Sequence, residues 1–370
     1  MTDINSAPSR TATSGERLKL RLSTIVWFVL FIGFLLGLPV LLDIGWWALA
    51  IAAGLALVLA LPAAWLTRKI FSGQRRQHWR TSYFKAFLAV LAVVTIALAT
   101  PLYFLASMTA LRPMTVPNAT LSNGSKTVVF QGMAHIGSEG FYKSVVYDLE
   151  KALSDGYVLY YEGVQGSPDG DKWFSDTLAS GGDLNTNYTK IGDVCGLTFQ
   201  LNYFGLLQAD MAAHPERHVM ADVTTADMMH EYERLMQADP AFAAAINAEA
   251  SSKGDSENGD GMAGLLSAVS DFSPAQRALV GTACRGYLNY LLGQKSAPDV
   301  MDPVILDFRN RSLAERIEAD THDKIYITYG ANHLPGLLAL LQANDPAWEI
   351  KSLKWLRAID TPEQLEGSLD

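Results

Sequence analysis

Lys324 to Leu341 reads KIYITYGANHLPGLLALL. Lys324–Tyr329 is rich in β-branched and aromatic side chains; Gly330, then His333, then an apolar run follow. That order predicts a strand, a tight turn and a helix, Leu334–Gln342, behind it. Thr127 to Val146, TVVFQGMAHIGSEGFYKSVV, repeats the scheme. Thr127–Gln131 reads as the strand, and Gly132-Met133-Ala134-His135 matches Gly330-Ala331-Asn332-His333. Phe141–Ser154 is an amphipathic helix with Val145, Val146, Leu149, Ala152 and Leu153 on its apolar side. With 7 His and 29 Gly in 370 residues, chance predicts fewer than one Gly-x-x-His. Two, each directly after a strand, imply two equivalent half-domains with their strand ends brought together.

Between these segments the pattern stays α/β. Gly156 sits where a helix C-cap prefers glycine, and Tyr157–Tyr161 (YVLYY) reads as a second strand. Consecutive strands of such units tend to run parallel. Gly163–Asp193, rich in Gly, Asp, Ser and Asn, reads as a long loop or small insertion, and Leu197–Met211 as helical. His218–Ala221 reads as a short strand ending at Asp222, and Thr225–Met236 as a helix capped by Thr224 or Thr225. Ser251–Gly261 is a low-complexity loop in a largely helical insertion. Gln276–Leu292 and Asp302–Asp320 read as helices, and Glu349–Leu356 as a last strand. Met114–Lys126 (MTVPNATLSNGSK) reads as a linker.

The N-terminal third obeys different physics. Residues 1–112 carry eleven Lys/Arg against three Asp/Glu; the remainder carries 18 basic and 35 acidic residues. Three runs, Thr24–Leu42, Trp46–Leu66 and Ala86–Ser107, are uncharged and match the roughly 20 apolar residues that a bilayer-crossing helix needs. Trp46, Trp47 and Trp65 sit near the ends of the second run, where aromatic rings favour the headgroup level. The expected fold class is therefore three N-terminal transmembrane helices (residues 1–112) followed by an α/β domain of two related halves around a mainly parallel central sheet (residues 113–370). Arg10, Arg17, Lys19 and Arg21 precede the first span; Arg68, Lys69, Arg75, Arg76, Arg80 and Lys85 lie between the second and third. The Asp43–Gly45 turn has no positive charge. This asymmetry predicts a cytoplasmic N-terminus and an acidic domain outside the cytoplasm, in an inner or cell membrane. The basic loop also suits contact with anionic lipid. Cys195 and Cys284 are the only cysteines; an oxidising compartment permits a disulfide, and two buried thiols are the other reading. The net charge of -9 argues against nucleic acid as a partner.

Strand ends in an open α/β sheet face the crevice where ligands bind. His135 and His333 belong there, with Gly132 and Gly330 allowing sharp turns. Glu162 follows the second strand and shares that edge. Two imidazoles and one carboxylate suit a divalent cation with an open water position, Glu162 being either a third ligand or a general base. Each is equally readable as a hydrogen-bonded structural residue. His214 and His218 read as a solvated loop because Pro215 breaks a helix between them. His230-Glu231 starts no His-Glu-x-x-His motif, since Arg234 stands at the second histidine position. Nucleophile-elbow, Walker and dinucleotide motifs are absent from the sequence.

QGMAHIGSEGFYKSV, YYEGV and TYGANHLPGLLALL resemble the signature segments of the TraB/PrgY/GumN family, which includes the Tiki proteases. That family is marked by two Gly-x-x-His motifs with a glutamate between them, here Gly132–His135, Glu162 and Gly330–His333. The resemblance spans roughly residues 127–340 and is concentrated in those short blocks. It implies metal-dependent peptidase activity, with His135, Glu162 and His333 as ligands. Asp307–Ala314 (DFRNRSLA) is similar to the family's Glu-Arg-Asp/Asn stretch, with Phe308 replacing the acidic residue. Arg309 there suits a substrate carboxylate or developing oxyanion; as a helix-face residue it would pair with Glu315 or Asp307. Asn310 and Asp222 are further candidates, Asp222 being also readable as a helix cap. The expected cofactor is a divalent metal ion; Mn, Co, Zn and Fe suit such donors almost alike. The expected partners are a peptide or protein substrate and the lipid bilayer. The competing functions are a non-catalytic, membrane-tethered peptide-binding protein of the same fold and a different hydrolase such as an esterase.

Overall fold

The computed structural model describes residues 13–70, 78–178, 184–252, 272–292 and 298–361. The low-complexity stretch beyond Ser252, and Arg10, Arg75 and Arg76, lie outside the described residues. The chain divides between Phe104 and Leu105 into two compact units.

The first unit holds α1 (Ser14–Ile44), α2 (Trp46–Ile70) and most of α3 (Trp79–Leu111). All three are long and apolar enough to cross a membrane, and each contains one of the expected runs. Gly45, at φ 139°, separates α1 from α2 in a conformation that L side chains rarely adopt. Every fourth residue of α2 from Ala48 to Ala64 is a buried alanine. Small residues let apolar helices approach closely where no hydrophobic force drives them together. Gly37 serves the same end: a Cβ there would lie 2.7 Å from Thr95 Cγ2 of α3. Ile25, Phe28, Ile51, Val58 and Val93 stay exposed, a surface suited to acyl chains.

The second unit begins with β1 (Met114–Ser122), β2 (Thr127–Met133), β3 (Ile136–Gly137), α4 (Glu139–Ser154) and β4 (Val158–Tyr161). Then come α5 (Asp171–Thr177), α6 (Leu184–Cys195), β5 (Thr198–Phe199) and the short α7 (Leu201–Phe204) and α8 (Gln208–Ala213). β6 (His218–Met220), α9 (Thr225–Ala238), α10 (Pro240–Ser252) and α11 (Pro274–Leu292) follow. A π-helical turn, Pro303–Phe308, runs into α12 (Arg309–Ala319), and β7 (Lys324–Gly330), α13 (His333–Asn344) and β8 (Glu349–Ile359) complete the order.

Six strands form one mixed sheet, ordered β6-β4-β7-β2-β1-β8. β6, β4, β7 and β2 are parallel; β1 and β8 are antiparallel to their neighbours. Leu313 and Ile317 of α12 and Leu337 and Leu341 of α13 pack with Val128, Phe130, Ile325 and Ile327. Phe141, Val145 and Leu149 of α4 pack with Leu159, Tyr161 and Tyr326 in a second core. The inner strands are thus covered on both faces, which is why IYITY and VLYY are rich in apolar and aromatic residues with no polar alternation. β7 inserts between β2 and β4, so the two Gly-x-x-His strands are neighbours, with Met133 opposite Gly330.

Four local expectations are corrected. Met114–Ser122 is a strand, not a linker, because Val116, Ala119 and Leu121 are buried between β2 and β8. Only the turn after it is loop-like, where Asn123 Oδ1 accepts from the N–H groups of Ser125 and Lys126. Gly163–Asp193 is a small insertion rather than a long loop, for it contains α5 and most of α6. Leu197–Met211 is a strand and short helical turns rather than one helix. Gly132 and Gly330 do not supply sharp turns, since both are strand residues and neither φ is positive. Gly132 supplies room: a Cβ there would meet Pro117 Cδ at 2.8 Å and its carbonyl oxygen at 2.9 Å.

Leu337 is fully buried, and Leu337→Ala is expected to lower the unfolding free energy by about 2–5 kcal/mol. Tyr147→Ala, on the exposed side of α4, should change it by less than about 0.5 kcal/mol. Denaturant melts of the full chain in micelles, read by near-ultraviolet circular dichroism, check both.

Candidate functional site

Each of the four parallel strands delivers a polar group at its C-terminal end. His135 follows β2, Glu162 follows β4, Asp222 follows β6, and Gly330 closes β7 just before His333. Glu162 extends the ladder, its N–H donating to Thr328 O at 2.9 Å, which fixes the side chain at the sheet edge.

Arg309 enters that edge from the first turn of α12 and is buried. Its Nε donates to Asp222 Oδ1 at 2.9 Å, and its Nη2 to Asp222 Oδ2 at 2.6 Å and Glu162 Oε1 at 2.7 Å. Asp222 also accepts from the N–H groups of Val223 (2.9 Å) and Gly163 (3.0 Å). Burial alone would raise the Asp222 pKa, but Arg309 and the two amides bring it below the ordinary carboxylate value. Burial disfavours the charge on Arg309, and Asp222 and Glu162 outweigh it, so its pKa rises. The guanidinium stands 5.6 Å from the centre of the Tyr329 ring. Arg309 therefore ties two strand exits together instead of pairing with Asp307 or Glu315. Asp222 is not a helix cap: Thr224 caps α9, in a capping box with Asp227.

His333 is buried beside this pair, its Nδ1 2.8 Å from Asn310 Oδ1. An amide oxygen can only accept, so Nδ1 carries the proton and Nε2 presents a lone pair. Gly336 makes room for the Asn310 amide: a Cβ at 336 would lie 2.4 Å from Asn310 Nδ2. Burial, and then Arg309, lower the His333 pKa to about 4, against smaller opposing effects of Glu162 and Asp222. The imidazole is therefore neutral at pH 7. Glu162 Oε2 accepts from the Gly330 N–H at 2.6 Å, while Oε1 lies 3.7 Å from His333 Nε2.

Those two atoms form an electron-rich notch. Both carry lone pairs, and no proton of His333 lies between them. Their separation is near the ~3.4 Å edge of a tetrahedral site with ~2.1 Å metal–ligand bonds. The Nδ1–H bond to Asn310 is the outer contact that a metal-ligating histidine ordinarily makes. His333 and Glu162 thus fit two positions around a divalent cation. The expected three-ligand set is not closed: among the described residues, no group of three or more His, Cys, Asp or Glu stands close enough to share an ion. His135 instead sits at the mouth, exposed, its ring stacked on Tyr188 with centroids 4.5 Å apart. Gln200 Nε2 lies 3.3 Å from its Nδ1, and the Gln200 N–H donates to its carbonyl at 3.1 Å. Crowding by neighbouring atoms lowers the His135 pKa; Glu162 opposes this and Arg309 adds to it.

Tyr188 and Gln200 border the site without having been legible as site residues, because both lie in segments whose secondary structure was misread. His218 is likewise no solvated residue. Its buried ring bridges the Tyr161 hydroxyl, 2.8 Å from Nδ1, and Asp210 Oδ2, 2.7 Å from Nε2. Cys195 and Cys284 form a disulfide that joins the end of α6 to α11. Compared with protein-family models, curated proteins and solved structures, the chain matches none.

Asp222→Asn should cost about 3–5 kcal/mol, because it leaves the buried Arg309 short of a countercharge. The depressed Asp222 pKa also fixes a pH dependence. Its stabilisation is complete above the ordinary carboxylate value of about 3.9 and disappears as pH falls through the lower folded value. Urea melts between about pH 6 and pH 3 should show this acid loss in the native chain and less of it in the variant.

Proposed function

We propose that this chain is a membrane-anchored, metal-dependent hydrolase of the TraB/PrgY/GumN type, cleaving peptides or protein N-termini outside the cytoplasm. The observation that carries this reading is the notch between His333 Nε2 and Glu162 Oε1, closed on one side by Arg309. His333 and Glu162 would hold the cation, which would polarise a substrate carbonyl and bring a bound water towards ionisation at neutral pH. Manganese, cobalt, zinc and iron all suit one nitrogen and one oxygen.

The remaining roles belong to the chain's own groups. Asn310 holds His333 in the tautomer whose Nε2 faces the notch. Arg309 offsets one of two adjacent carboxylate charges. Its Nη1 has only a long contact, 3.5 Å to Ile305 O, which supports assigning this nitrogen to charge developing on a substrate oxygen. His135, exposed at the mouth, exchanges protons between the attacking water, the leaving amine and solvent once the long 3.3 Å contact of Gln200 Nε2 frees its Nδ1 lone pair. Its place there suits it to proton carriage rather than to completing the ligand set. The tilt of Lys/Arg toward the N-terminus and the loop before α3 supports a cytoplasmic N-terminus. The Cys195–Cys284 disulfide supports an oxidising location for the α/β unit.

One observation favours a second reading, a metal-free hydrolase with His333 as general base: Arg309 already engages Glu162, and the third donor stands apart.

The test is turnover of a mixed peptide library by the full chain in nanodiscs, read by mass spectrometry with and without chelator. Turnover should vanish with chelator and return with added metal, and Glu162→Gln or His333→Ala should lower kcat/KM by roughly 10²–10⁴. Chelator-resistant turnover would select the metal-free reading. Tight peptide capture without turnover by the native chain would replace the enzyme with a binding protein. A C-terminal alkaline phosphatase fusion should be active in a bacterial host, and an inactive one overturns the orientation.

A further inference from the structure

The last turns of α11 expose an apolar cluster that neither core absorbs. Tyr287, Tyr290, Leu291 and Leu292 are each between 44% and 55% exposed. Two other residues of the same turns are anchored. Gly286 abuts the backbone of Leu105, so closely that a Cβ at 286 would lie 2.2 Å from Leu105 O. Asn289 Oδ1 accepts from the Met114 N–H at 2.7 Å. Leu105 lies in the last turns of α3, and Met114 is three residues beyond its end at Leu111. The C-terminal end of α11 is therefore fastened to the segment where a membrane-crossing helix gives way to the folded domain. Leu111, the last residue of α3, is itself 77% exposed. The exposed residues are of the kind that a water–lipid boundary favours. Tyrosine offers an apolar ring and a hydroxyl that remains in water, and leucine enters the acyl layer. The first turns of the helix, in contrast, expose Gln276 and Arg277 in part or fully.

We propose that the Tyr287–Leu292 turn of α11 is a second, non-spanning membrane contact: it rests in the headgroup–acyl boundary of the bilayer. Its occupant is lipid, and the argument is continuity with α3. The contact gives the α/β unit a second point of attachment beside its covalent one, which limits its tumbling. It stands independently of any catalytic role.

The test uses the full chain in nanodiscs of phosphatidylethanolamine and phosphatidylglycerol. A photoreactive benzoylphenylalanine replaces Tyr287, Tyr290 or, as control, the exposed Tyr147 of α4. After irradiation, phospholipid adducts at 287 and 290 should exceed those at 147 by about tenfold or more, since burying one such side chain is worth at least that factor. Hydroxyl-radical footprinting of the unsubstituted chain should oxidise Tyr147 while sparing Tyr287 and Tyr290. Cross-links from 287 and 290 to a second copy of the chain, lipid yields no higher than at 147, or equal oxidation of all three tyrosines would overturn the proposal.

Discussion

Arg309, buried between carboxylates from two different strand exits, is the interaction on which the site depends. Asp222 holds it through two hydrogen bonds and Glu162 through a third. Glu162 uses its other oxygen on the amide of Gly330. Three parallel strands are thereby cross-tied at their C-terminal ends by one charged network. A buried pair of this kind is costly to break because the remaining charge has no water to replace its partner. The network also orients Glu162, whose Oε1 lies 3.7 Å from His333 Nε2.

The two Gly-x-x-His segments are alike in sequence and unlike in role. β7 inserts beside β2, so the motifs meet as parallel neighbours. Gly132 is required by the close passage of β1 at Pro117, whereas Gly330 lends its N–H to Glu162. His333 is enclosed and oriented by Asn310, and His135 lies open against Tyr188. One imidazole is thus preorganised with its lone pair toward the carboxylate, and the other is placed where protons exchange with solvent.

Much of this was legible in the sequence because the physics was local. KIYITY and YVLYY are mostly apolar since both faces of their strands are covered, and the Gly-x-x-His spacing marks the exits of KIYITY and TVVFQ. The uncharged runs of α1 to α3 need no tertiary information to be read. Local signals failed where tertiary pairing decided. Met114–Ser122 carries Pro117 and Asn118 yet is held as a strand from both sides. Arg309 had plausible partners in its own helix, Asp307 and Glu315, but chose Asp222, 87 residues away. Tyr188, Gln200 and the Asp210–His218–Tyr161 chain come together across segments far apart in sequence, so only the folded arrangement shows their contacts.

The central claim is that the notch between His333 Nε2 and Glu162 Oε1 accepts a divalent cation. Anomalous diffraction from crystals of the full chain grown with manganese, collected at long wavelength, addresses it directly. The account predicts one strong anomalous peak within bonding distance of both atoms, with the Asn310 contact to Nδ1 retained. A notch without a peak while manganese is bound elsewhere, or an Nε2 turned away from Glu162, would contradict it.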